Sequence, residues 1–118
     1  MNENAKKWVG ALRSGEYEQA KHTLQFGGAF CCLGVACQVY EKETGKRLPR
    51  KNGAGAYNRA ALTHGFRKVQ RWLGLSSSVG RFAGSTLALK NDEGFFDFKA
   101  IADLIEAEPE GLFVEGEA

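Results

Sequence analysis

From Ala29 to Tyr40 apolar residues fall on every face of a 3.6-residue period, and no charged side chain interrupts them. A helix that is apolar all round has no face to give to water and must be buried. The run is too short to span a bilayer, so it predicts a central helix at about 29–43 inside the protein's own core. Glu41-Lys42-Glu43 marks its exit into solvent and Gly45 its C-terminal cap. Gly34 costs about 1 kcal/mol of helix propensity, which predicts a close approach by another element.

Weaker periodicities place the other elements around this helix. Asn4 is positioned to cap a helix running to about Ser14, with Trp8, Val9, Ala11 and Leu12 as its apolar stripe and Gly15 as its stop. Glu16 to Ala20 predicts one more helical turn. His22 to Phe26 alternates, with Leu24 and Phe26 on one face, and predicts a short strand. From Gly45 onward the pattern is lost, and Lys46-Arg47-Leu48-Pro49-Arg50-Lys51-Asn52-Gly53-Ala54-Gly55 predicts a basic mobile loop at about 46–57. Asn58 to Thr63 fits a helical turn closed by Gly65. Phe66 to Leu73 is a firmer helix, with Val69, Trp72 and Leu73 inward and Arg67, Lys68 and Arg71 on the other side. Leu87 and Leu89, two apart, predict a strand over 81–90, and Asn91-Asp92-Glu93-Gly94 a turn. Asp97 caps a last helix with an apolar stripe of Phe98, Ile101, Ala102, Leu104 and Ile105, ended by Pro109. Residues 111–115 suit an edge strand. This mixture predicts an α+β fold, a small antiparallel sheet packed against helices, within a single domain spanning 1–118.

Charge adds what hydropathy does not show. The 118 residues carry a net charge of +2. Residues 1–44 balance. Residues 45–91 hold ten lysines and arginines and no acid, whereas residues 92–118 hold nine acids against Lys99. Such segregation predicts an anionic partner for the middle segment, or docking of the two segments on each other. It would also suit a homo-oligomer joined through opposite charges.

Cysteine usage narrows the chemistry. Three cysteines, two of them adjacent, read as small buried thiols in a reducing compartment. His22 and His64 lack the spacing to them that a zinc site needs, so no metal and no cofactor are expected. No apolar segment follows Met1-Asn2-Glu3-Asn4-Ala5-Lys6-Lys7 to make a signal peptide, and no membrane-spanning run exists.

Three constellations could carry function. Cys31 or Cys32 near a helix N-terminus, with His22 or His64 as base, would make a cysteine hydrolase; the apolar surroundings and the lack of an orienting acid favour a core thiol instead. Arg50, Lys51 and Arg59 flank Asn52-Gly53-Ala54-Gly55, whose backbone N–H groups could cradle an anion. The stretch matches neither the Walker pattern nor the dinucleotide pattern, since Asn58 stands at the third glycine. Arg67, Lys68 and Arg71, with Tyr57 and Phe66 near, could contact phosphates and stack bases. The bland alternative to both anion readings is charge pairing between the basic and acidic segments. The carboxylates form no evident acid–base pair.

Several motifs together are informative: Trp8-Val9-Gly10-Ala11-Leu12-Arg13-Ser14-Gly15-Glu16-Tyr17, Phe30-Cys31-Cys32-Leu33-Gly34-Val35, Trp72-Leu73-Gly74-Leu75, Leu89-Lys90-Asn91-Asp92-Glu93-Gly94 and Ile101-Ala102-Asp103-Leu104-Ile105-Glu106. With these the chain resembles a family of small, uncharacterised bacteriophage proteins, over most of its length apart from 46–65. That family has leucine before the Asn-Asp pair, where this chain has Lys90. The resemblance implies a viral protein acting in the host bacterial cytoplasm and supplies no catalytic residue. The resulting expectation is a non-enzymatic phage accessory protein, of counter-defence type, that sequesters an anionic host factor, a nucleotide or nucleic acid. Its expected contacts are Arg50, Lys51, Arg59, Arg67, Lys68 and Arg71. The alternative is an inhibitor that binds a host protein through the acidic helix at 97–108.

Overall fold

The apolar run does form the centre of the molecule, in a computed structural model that describes residues 1–20, 25–26, 29–48, 66–93 and 96–114. Helix α2 (Cys32–Thr44) buries Cys32, Leu33, Gly34, Val35, Ala36, Cys37, Val39 and Tyr40, which leaves its first two turns no solvent face. It ends as the sequence predicts, on Gly45 in the left-handed conformation at φ 74°.

Its start differs from the expectation. Ala29–Phe30 is not helix but strand β3, the middle of a three-stranded sheet. On one side β3 pairs in parallel with β1 (Glu18–Gln19), and on the other antiparallel with β2 (Gln25–Phe26). Both edges of β3 are therefore used, and this sheet pairing overrides the local helical pattern. Cys31 stays extended and becomes the N-cap, its Sγ accepting the Gly34 N–H at 3.4 Å. Strand β1 also replaces the helical turn expected over 16–20. Of the strand expected at 22–26, Gln25–Phe26 is present and 22–24 lie outside the described residues, as do 49–65 with most of the basic loop.

Helix α1 (Glu3–Arg13) starts two residues earlier than Asn4 would place it. Asn2 is the cap and accepts the Ala5 N–H at 2.8 Å, while Asn4 donates from Nδ2 to the Trp72 carbonyl. Its stripe of Ala5, Trp8, Val9 and Leu12 is buried, and the Trp8 indole N–H donates to the Cys32 carbonyl at 2.9 Å. Burying that ring therefore leaves no polar atom stranded.

Helix α3 spans Phe66–Leu73, as expected. The next stretch is a correction: in place of one strand over 81–90 there is a hairpin, β4 (Arg81–Phe82) with β5 (Ser85–Thr86), followed by helix α4 (Leu87–Asp92). Thr86 caps α4 by accepting the Leu89 N–H. Leu87 and Asn91, four apart, face inward, while Leu89 is 54% exposed. The two-residue spacing of Leu87 and Leu89 was thus accidental, and Asn91 and Asp92 close a helix rather than form a turn. Gly80, at φ +68°, sits so close to Leu87 that a Cβ there would fall within 3 Å of the leucine side chain. Helix α5 (Phe98–Glu106) has Asp97 as its cap, as expected. Instead of an edge strand, the C-terminal segment forms one bridge, Leu75 with Phe113, flanked by Ser76 N–H to Leu112 O and Val114 N–H to Gly74 O.

The fold is therefore α+β, with one parallel pairing in an otherwise antiparallel set. A single core joins Trp8, Leu33, Val35, Val69, Leu73, Leu75, Leu87, Ile101, Ile105 and Leu112. Within it Asn91 is fully buried and fully satisfied. Its Oδ1 accepts from the Cys32 N–H at 3.0 Å and from Gln19 Nε2 at 3.1 Å, and its Nδ2 donates to the Ala20 carbonyl at 2.8 Å. One amide thus ties α4 to β1 and to the head of α2.

Candidate functional site

Helix α3 separates its two faces sharply. Val69 and Leu73 are wholly buried, and Trp72 stands edge-on to Tyr40 of α2 with ring centroids 5.5 Å apart. Arg67, Lys68 and Arg71 are exposed. Residues three and four apart on a helix are neighbours, so the Arg71 side chain lies beside both others and the three cations form one ridge. The end of α3 is fixed by a Schellman motif: Gly74, at φ +76°, donates to Arg71 O at 3.2 Å, and Leu75 donates to Gln70 O at 2.9 Å. Asn2 and Asn4 of α1 both donate to the Trp72 carbonyl. The ridge thus stands on a helix held at its C-terminal end by two elements.

Among the described residues the acidic tail does not neutralise this ridge. Asp103 and Glu106, on the outer face of α5, are gripped by Arg13 at the end of α1, at 2.6 and 2.9 Å. Hydrogen bonding to Arg13 holds the Glu106 carboxyl below its ordinary value, and both carboxylates raise the Arg13 guanidinium. Glu108 receives the N-terminal ammonium group at 2.6 Å. Three of the tail's acids are thus met by the charge-balanced first third of the chain. Among the described residues Arg67, Lys68 and Arg71 have no carboxylate within ion-pair distance, and the middle segment's ion pair is the local one from Lys90 to Glu93.

Of the six predicted contacts, the structure brings three together on α3; Arg50, Lys51 and Arg59 lie outside the described residues, with the Gly-containing loop, Tyr57 and both histidines. The cysteine reading fares poorly on electrostatics. Cys31 and Cys32 do sit at the head of α2, where a helix dipole favours thiolate, but burial dominates. Burial pushes the Cys31 thiol up to about 11, and that of the fully buried Cys32 well above its ordinary value. The Cys32 thiol points at the Leu87 carbonyl, 3.7 Å away.

Sequence reasoning counted Arg81 only as part of the block charge. In the structure it lines an open cleft of about 530 Å³ with Ser76, Ser77, Phe82, Ala83, Glu110 and Gly111. The signal available beforehand was an arginine next to an aromatic residue, too common to single out. Among the described residues no group of three or more His, Cys, Asp or Glu could hold a metal ion, and no helix is long and apolar enough to cross a membrane.

No curated protein and no solved structure matches the chain. A family model does, over residues 1–109, which include every helix described above. The chain belongs to that family, described as Domain of unknown function (DUF8296).

Proposed function

We propose that this member of the DUF8296 family is a non-enzymatic binding protein that captures an anionic partner, a nucleotide or nucleic acid, on the basic ridge of α3. One observation carries the reading: Arg67, Lys68 and Arg71 stand together and unpaired among the described residues, while Asp103, Glu106 and Glu108 are occupied by Arg13 and the N-terminus. Unpaired guanidinium groups on an exposed helix suit phosphate, which they can grip with two parallel hydrogen bonds. Arg50, Lys51 and Arg59 add charge from the same acid-free segment of the sequence. The motif resemblance supports a bacteriophage origin and action in the host bacterial cytoplasm. There, stoichiometric capture of an anionic signal or strand would serve counter-defence.

The acidic-helix alternative is weakened by Arg13, which already takes two of the carboxylates that α5 would present to a basic host groove. Calorimetric titration of the whole protein with a panel of nucleotides and short single-stranded oligonucleotides tests the proposal. Saturable binding that weakens when Arg67, Lys68 and Arg71 are all changed to alanine, most strongly for the oligonucleotides, is the expected result. Flat heats across both panels would refute it.

A further inference from the structure

We propose that the cleft beside Arg81 is a binding site for a nucleoside monophosphate, with the phosphate on Arg81 and Ser77 and the base against Phe82. The inference rests on the anion-capture reading and adds to the ridge of α3 a second place, for a single nucleotide.

The cleft is built by three segments. The turn after α3 contributes Ser76 and Ser77, the hairpin contributes Arg81, Phe82 and Ala83, and the C-terminal segment contributes Glu110 and Gly111. These segments are stitched to one another. Ser76 donates its hydroxyl to Gly111 O and its N–H to Leu112 O at 2.9 Å, Ala83 N–H donates to Glu110 O at 2.8 Å, and Arg81 N–H donates to Ser77 Oγ at 2.7 Å. The walls are therefore pre-formed, and a ligand need not order them. A volume of about 530 Å³ lies within the roughly 300–1,000 Å³ usual for small-molecule sites.

The lining selects the ligand. The Arg81 side chain is exposed and has no carboxylate within ion-pair distance among the described residues. Ser77 Oγ accepts the Arg81 N–H, so its own proton remains available to donate. A guanidinium with a hydroxyl donor beside it matches phosphate oxygens. Phe82, half-buried next to Arg81, offers a flat apolar surface to a planar ring, and stacking of this kind accepts any base. The exposed carboxylate of Glu110, on the C-terminal wall, can only accept hydrogen bonds. It would repel a second phosphate while receiving ribose hydroxyls. Cation, aromatic face and acceptor together describe one nucleotide better than they describe a continuous strand. The ridge of α3, whose chain leads into Ser76 within three residues, supplies the field that draws the anion in.

Titration of the whole protein with nucleoside 5′-monophosphates, the parent nucleosides and inorganic phosphate tests the assignment. Wild type is expected to bind a monophosphate at least about tenfold tighter than either fragment. Arg81→Ala should weaken that binding about tenfold or more, Phe82→Leu several-fold, and the triple alanine variant of α3 about threefold through loss of steering, with circular dichroism confirming the fold of each. Arg81→Lys, which keeps the charge and loses the fork, should lie between wild type and Arg81→Ala. Monophosphate affinity unchanged by Arg81→Ala, or no monophosphate binding by wild type, would overturn the inference. Oligonucleotide binding that persists in wild type and disappears in the α3 variant would then keep the broader anion-capture reading alive; its absence would end that reading too.

Discussion

Helices α3 and α5 are built alike and end up differently. Each buries an apolar stripe against the centre of the molecule, Val69 and Leu73 in one case, Ile101 and Ile105 in the other. Each turns charge outward. The outer carboxylates of α5 are gripped by an arginine some ninety positions earlier in the chain, whereas the outer cations of α3 meet no acid among the described residues. Blocks of opposite charge in a sequence therefore need not neutralise each other. Among the described residues three carboxylates of the acidic block, Asp103, Glu106 and Glu108, found partners in the balanced first third, and the cations of α3 were left exposed. Charges with partners serve the fold, and charges without them are the ones to examine for function.

That contrast can be attacked first where polar groups are most fully used. Asn91→Ala removes the partners of the Cys32 N–H and the Ala20 carbonyl at once, while Gln19 Nε2 keeps the Phe96 carbonyl at 2.8 Å. At about 1–3 kcal/mol for each stranded buried group, and with such networks non-additive, a loss of about 3 kcal/mol or more in urea unfolding is expected. A loss below about 1 kcal/mol would mean that water replaces the amide.

The opposite behaviour is expected on α3. Changing Arg67, Lys68 and Arg71 together to alanine should leave stability within about 0.5 kcal/mol, as exposed unpartnered side chains usually do. Oligonucleotide affinity should fall about tenfold or more.

Arg13→Ala lies between these extremes, because its two ion pairs are exposed and screened. It should lower the thermal midpoint modestly, by less in high salt. The sign of its pH dependence follows from the Glu106 carboxyl. Folding depresses that value below 4.5, so the stabilisation is present above the unfolded value and is lost as pH falls through the folded one. The gap in midpoint between wild type and Arg13→Ala should therefore close below about pH 4. A gap that persists at pH 3 would show that Arg13 acts through packing instead.

The smallest effect concerns the thiols. With burial raising the Cys31 thiol to about 11 and the Cys32 thiol well above its ordinary value, neither should react with iodoacetamide at pH 8 in the native protein. Rapid labelling of Cys31 would restore the case for a reactive cysteine.

Legibility in the sequence followed the range of the interactions. Helix α3, the exit of α2 at Gly45 and the Asp97 cap of α5 depend on residues within four positions, and all were readable. Ala29–Phe30 was not, because its strand character depends in part on Glu18–Gln19, eleven positions earlier, in addition to the nearby Gln25–Phe26. Stretch 81–92 misled because Leu87 and Leu89 imitate strand alternation, while the informative pair was Leu87 with Asn91 and required a buried amide at a helical spacing. The ridge of Arg67, Lys68 and Arg71 was readable from its periodicity. What could not be read was whether the tail would cover it, since the pairing of Arg13 with Asp103 and Glu106 spans most of the chain.

The most direct test of the account is the salt dependence of oligonucleotide binding. Each phosphate held by a cation contributes about −0.7 to the slope of log affinity against log salt for a single strand. Wild type should show a steep slope, and the alanine variant of α3 a shallower one by about 2. Equal slopes for the two proteins would show that the anion never touches α3.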